Sequence, residues 1–287
     1  MKKNDKRALA ASIIGSGLDD MNVMFLSFSL SSIIADLNLS GSEAGWIGTI
    51  TNLGMLLGGL LFGVLADRYN KFNVFKLTVF IYSLATGLIY FADNIYLLYL
   101  LRFISGIGVG GEYGVAISVM AGIVPLSKMG RVSSLNGIVG QIGSISSAIL
   151  AAWIAPSLGW RGLFLFGFLP IGMVLWAHFF IDAEAITERG ADERASIKQN
   201  KPKIKELFET PALTRLTISL MVMATVQIAG YFGMMNWLPT MMQSQLGISV
   251  SDSSQWMIST ILGMCLGMFV FGQILDRIGL RKSFSIF

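Results

Sequence analysis

The chain has 287 residues, 54% of them hydrophobic and only 13% charged, with 32 glycines and 16 methionines. Such a composition excludes a soluble globular core and reads as a membrane protein of several spans. The net charge of +4 is scattered over short polar stretches, which excludes a nucleic-acid footprint.

A helical span needs roughly 20 mostly apolar residues. Eight such runs lie near 10–35, 43–66, 73–92, 95–120, 132–155, 160–181, 213–240 and 253–275. Lys2, Lys3, Lys6 and Arg7 precede the first. A signal peptide begins the same way. This run, however, holds Asp19 and Asp20 and continues to about Ile34, so it is read as the first span. Lys and Arg recur before span 1, in loop 2–3 (Arg68, Lys71, Lys76), in loop 4–5 (Lys128, Arg131), in loop 6–7 and after span 8. Loops 1–2, 3–4 and 7–8 have none. By the positive-inside rule the N-terminus is expected to be cytoplasmic, in a multi-pass protein of the cell (inner) membrane.

Residues 182–212 are polar and nearly neutral and read as a cytoplasmic linker, partly helical around Ile204–Phe208. They divide a six-span unit, 1–181, from an incomplete second unit, 213–287. Pro211 suits the first turn of span 7. Ser283–Phe287 looks like the start of a ninth span. Cys265 stands alone, so no internal disulfide forms and a metal site is not expected. His178, near the end of span 6, reads as structural. No nucleophile–base pair is present, and neither an enzyme nor a cofactor is expected.

One stretch occurs twice. Gly63-Val64-Leu65-Ala66-Asp67-Arg68 ends span 2, and Gly272-Gln273-Ile274-Leu275-Asp276-Arg277 ends span 8. Leu37-Asn38-Leu39-Ser40 and Leu246-Gly247-Ile248-Ser249 align at the same offset. A fixed offset between distant segments marks a repeat, and parallel repeats in a membrane protein point to a transporter of two similar halves. The signature resembles the loop between the second and third spans of the major facilitator superfamily. The likeness implies an all-α membrane protein with that superfamily's fold: a complete six-helix half, two helices of the second, and a C-terminal truncation. The first copy has Asn70 where glycine is usual, a residue that tolerates the left-handed turn. The resemblance further implies that the Asp of each loop caps a helix of the other half, so that Asp276 is expected beside the start of span 5. Asp67 is then expected to be solvated or paired locally with Arg68 or Lys71.

Ionisable groups inside a span are costly and face a cavity or a partner. Asp19 and Asp20 lie roughly 15 Å into span 1, near the midplane. Neighbours on a helix point about 100° apart, so the two face different surroundings. A carboxyl so placed can take up and release a proton during transport, and nothing in the sequence ranks the two. The aligned positions in span 7 are Ile228 and Ala229, so the acids belong to one half. Span 4 carries Arg102 and Glu112, roughly 15 Å apart along the axis and unable to pair. Gly106, Gly110 and Gly114 make a ridge that admits a neighbouring helix. Tyr113 returns to the face of Arg102. Gln141, Gln227, Tyr231, Asn236 and Asn52 could line the same cavity.

R-x-x-x-G-x-G-x-G-G-E in span 4 and Leu18-Asp19 in span 1 resemble the aromatic acid:proton symporters and related organic-anion and sugar symporters. Gly159-Trp160-Arg161 resembles span 6 of that branch. Gly140-Gln141 stands where drug:proton antiporters carry Gly-Pro, and Asp182-Ala183-Glu184 lacks the P-E-S-P run of sugar porters. The leading expectation is a proton-coupled symporter of a small organic solute, with organic anions such as aromatic or carboxylic acids as candidates. It would work by alternating access in the lipid bilayer. Asp19, Asp20 and Glu112 would take protons. Arg102, Tyr113, Gln141, Gln227, Tyr231 and Asn236 would contact substrate. Gly63, Asp67, Arg68, Gly272, Asp276 and Arg277 would form the conformational loops. The alternative is a transport-inactive fragment or partner of a longer transporter; an efflux antiporter ranks third.

Overall fold

The computed structural model describes residues 1–186 and 208–278. Helices α1 (Lys3–Asp36), α2 (Gly41–Arg68), α3 (Lys71–Leu88), α4 (Ile95–Ile123), α5 (Leu126–Leu165) and α6 (Leu169–Phe180) come first in the chain. After the linker come α7 (Pro211–Leu246) and α8 (Val250–Ile278).

The helices start where side chains can satisfy their free N–H groups. Ser40 Oγ accepts from the Glu43 amide while the Glu43 carboxylate accepts from the Ser40 amide, a reciprocal capping box. Asn94 Oδ1 accepts from Leu97 N at 2.9 Å to open α4. Thr210 caps α7, and Pro211 occupies its first turn as the sequence suggests. Asn70 behaves differently from the expectation. Its φ is −60°, not left-handed, and it is the N-cap of α3, accepting from the amides of Phe72 and Asn73. Its Nδ2 donates to the Ala183 carbonyl at 2.8 Å, tying α3 to the segment after α6. Glycine could do neither.

Among the described residues seven helices are long and apolar enough to cross a membrane, where the sequence suggests eight. The difference lies in Arg131–Phe180, a run of 50 residues counted as one. Gly159 interrupts it with φ 67° and ψ −174°, three residues after Pro156. At the corner, Arg161 Nη1 meets Asp36 Oδ2 at 2.6 Å, Arg161 Nη2 donates to the Ala92 carbonyl at 3.0 Å, and the guanidinium lies over the Trp160 ring. The Gly-Trp-Arg stretch therefore binds the end of α1 to the connection between α3 and α4.

Two apolar clusters fill the body. One joins Met24, Phe25 and Phe28 of α1 to Phe164, Met235 and Met257; the other joins Phe62, Phe75 and Tyr82 to Met120 and Ala177. Helix α4 packs on α2 through glycines. A Cβ on Gly106 or Gly110 would strike the carbonyls of Thr51 or Met55, and one on Gly54 or Gly58 would strike those of Phe103 or Ile107. Lacking side chains, the two backbones approach closely. Gly114 is a correction to the expected ridge, since it has open space around it. Residues 187–207, including Ile204, Lys205 and Glu206, and the Ser283–Phe287 stretch lie outside the described residues.

Candidate functional site

Helix α1 runs through the centre, packed on α5, α4 and α7. Gly17 and Gly143 let α1 and α5 meet backbone to backbone. On this stretch Asp19 is only 7% exposed, and its Oδ1 has no hydrogen-bond partner. Asp20 is half-buried, its carboxylate resting against Gly140 of α5 in space that any side chain there would fill. Glu112 of α4 is fully buried; Ser16 Oγ donates to its Oε1 at 3.3 Å, and Oε2 has no partner. Glu112 and Asp20 both act electrostatically on Asp19, and Asp20 acts on Glu112. Like charges this close in a water-poor interior repel, and a proton placed among them relieves the repulsion.

Arg102 is 3% exposed and donates from Nε to Thr51 Oγ1 at 3.2 Å. No carboxylate among the described residues pairs with it. The rest of its planar fork is therefore available to an anion. Tyr113 departs from expectation. Although its helical phase matches Arg102, it is 61% exposed and does not share that buried surface. Eleven residues shift it roughly 16 Å along the axis from Arg102.

Helix α7 reaches the same region. Tyr231 is half-buried, beside Gln141 and within electrostatic reach of Asp20. The Gln141 Oε1 is buried without a partner. Asn236 accepts from Ser27 Oγ at 2.9 Å. The side chain of Gln227 lies outside the described residues, as do those of Gly272, Asp276 and Arg277, so the expected Asp276 contact with span 5 does too. Gly63, Asp67 and Arg68 are exposed at the end of α2.

Sequence reasoning missed three contributors. Ser31 bonds to Gln243 Oε1, and Gln243 Nε2 donates to Ser253 Oγ at 2.7 Å, which ties the C-terminal parts of α1 and α7 to the start of α8. Asn22 donates to the Leu18 carbonyl at 2.7 Å and leaves its Oδ1 buried and unpartnered. Asn136 of α5 likewise has a buried, unpartnered Oδ1. Ser27 and Ser31, four apart on an apolar helix, were the available signal.

The profile of the Major Facilitator Superfamily matches residues 12–287. A putative metabolite transport protein of Haemophilus influenzae is 34% identical over 98% of this chain and 70% of its own length. The cis,cis-muconate transport protein of Acinetobacter baylyi is 28% identical over 93% of this chain and 65% of its own. The chain thus spans about two thirds of the length of such relatives. A crystal structure of a D-xylose-proton symporter superposes with a TM-score of 0.76 at 17% identity, over 96% of this chain and 70% of that one. At that identity the likeness is one of fold.

Proposed function

The chain belongs to the Major Facilitator Superfamily, and we propose that it is the proton-coupled part of a symporter for small organic anions. It is a multi-pass membrane protein of a transporter family; the coupling, the substrate class and the orientation are the proposal. The observation that carries it is the buried group Asp19, Asp20 and Glu112, three acids gathered from α1 and α4 with two oxygens unpartnered. A fold has little structural use for such a group in a membrane. A carrier that must take up and release a proton does.

Arg102, without an acidic partner, is the proposed anion contact. Tyr231, Asn236, Gln141 and Gln227 are proposed to complete the wall from the two halves. The relative named for cis,cis-muconate makes a dicarboxylate the first probe. Gly159 and Pro156 support reading Arg131–Phe180 as two spans. As one straight helix it would measure about 75 Å, more than twice the hydrocarbon thickness. Eight spans then put the N-terminus and the 182–212 linker on the cytoplasmic side, with the basic residues, in the cell (inner) membrane. Asp67 and Arg68, and their aligned Asp276 and Arg277, are proposed to act as the cytoplasmic conformational loops.

The test is uptake of labelled cis,cis-muconate into vesicles bearing the full chain under an imposed inward proton gradient. Accumulation above empty vesicles that collapses with a protonophore is the expected result. Accumulation indifferent to the protonophore would contradict coupling. No accumulation across a panel of small carboxylates would contradict the substrate class.

A further inference from the structure

The geometry points to Tyr82 as a positioning residue of the carboxyl group: its phenol faces Asp19 and Glu112 and supplies the hydrogen-bond donor for whichever of them is ionised. The inference rests on the coupling role proposed above for those acids and adds a residue from a third helix.

Tyr82 is the largest of the fully buried side chains among the described residues; beyond the adjacent Ser83 hydroxyl, its own hydroxyl makes no hydrogen bond. Buried tyrosine hydroxyls ordinarily find one, because leaving a polar group dry and unpaired is costly. Asp19 Oδ1 and Glu112 Oε2 are also buried and unpartnered. One donor and two acceptors, from α3, α1 and α4, are thus left over in one part of the core.

Backbone packing brings them together. A Cβ on Gly108 would strike the amide nitrogen and Cβ of Tyr82, so α4 lies directly on α3 at this level. The short connection from Leu88 to Ile95 makes the two helices antiparallel. Helix side chains lean toward their own N-terminus. The Tyr82 ring therefore leans along α4 toward Glu112, four residues and about 6 Å beyond Gly108. Glu112 leans back toward it. Among the described residues the charged groups acting on the phenol are Asp19 and Asp20 from α1 and Glu112 from α4. Helices α2, α5 and α6 contribute none. The Ser83 hydroxyl, next along α3, lies beside the phenol and is otherwise unpartnered.

Packing alone does not account for the residue. Phenylalanine would fill the same space without a hydroxyl to desolvate. A donor aimed at two acids, by contrast, favours their ionised form and so sets the pH at which the carrier loads. Ser16 already supplies one donor to Glu112. Tyr82 is placed to serve Asp19 or the second Glu112 oxygen, whichever has lost its proton.

The experiment is an infrared titration of the protonated-carboxyl band of the full chain in lipid vesicles, which needs no substrate. Asp19→Asn and Glu112→Gln assign the band. In Tyr82→Phe its midpoint should move to higher pH by about one unit, while Thr78→Val, which removes a hydroxyl bonded to the Phe75 carbonyl, should leave it in place. An unmoved midpoint in a folded Tyr82→Phe protein overturns the inference. Fluorotyrosine at position 82 keeps the ring and strengthens the donor. It should move the midpoint down, and no movement there is equally fatal. Proton-driven uptake surviving in every acid variant would sink the coupling reading instead, leaving the infrared result intact.

Discussion

The two repeats, α1–α2 and α7–α8, turn in the same way and differ in what they bury. In the first, Asn38 adopts φ 50°, and Ser40 caps α2 with Glu43. In the second, Gly247 adopts φ 66°, and Ser249 caps α8 with Asp252. Each left-handed residue and each capping box sits at the same offset from its counterpart. Ser27 and Asn236, 209 residues apart, even occupy equivalent positions and bond to each other. A contact between equivalent residues marks the axis relating the halves. The interiors then diverge. Asp19 is 7% exposed within its acid group, while the aligned Ile228 is 56% exposed. Turn chemistry has been kept in both copies, and the ionisable chemistry is confined to one.

The widest separation between the copies is expected at their glycines. Gly54 and Gly58 touch the α4 backbone, whereas their counterparts Gly263 and Gly267 have open space. Gly58→Leu should therefore cost the fold at least the 1–3 kcal/mol of an overpacked core, since it meets carbonyls that cannot move aside, by about that range of mutational data. Gly267→Leu should leave thermal unfolding in detergent within about 0.5 kcal/mol of the parent. Equal losses would mean that the second copy is packed like the first.

A smaller effect is expected on the axis. Ser27→Ala and Asn236→Ala should couple by about 1 kcal/mol in a double-mutant cycle on unfolding. Zero coupling would separate the halves there. The smallest contrast is at the caps. Ser40→Ala and Ser249→Ala should each cost about 1 kcal/mol. A cost at one and not the other would break the equivalence of the turns.

Much of this was legible in the sequence because it is local. Pro211 in the first turn of α7, the aligned Leu37–Ser40 and Leu246–Ser249 turns, and the helical angle between Asp19 and Asp20 follow from residue spacing alone. What was missed depends on partners distant in the chain. Asn70 looked like a turn residue because its bond to Ala183, 113 residues on, is invisible locally. Periodicity gave Tyr113 the right angle but not the neighbour at its level. Gly114 kept the four-residue spacing of the ridge, but spacing alone does not say whether a neighbour lies against it, and none does. Spans 5 and 6 were read as separate on either side of 156–159, and Gly159 interrupts the helix there with φ 67°, although no polar loop divides the run. Tyr82 drew no notice because a tyrosine in an apolar run reads as packing until its hydroxyl is seen among acids.

The central claim, that coupling resides in the acid group of the first half, is tested most directly by comparing driven uptake with exchange. Full-chain vesicles carrying Asp19→Asn, Asp20→Asn or Glu112→Gln would be assayed for proton-driven accumulation of labelled cis,cis-muconate. The same vesicles would be assayed for counterflow against internal unlabelled muconate, which needs no net proton movement. At least one substitution should reduce accumulation to the protonophore level, a loss of tenfold or more by about 1.4 kcal/mol per decade, while counterflow persists. Parental accumulation in all three variants would contradict the account.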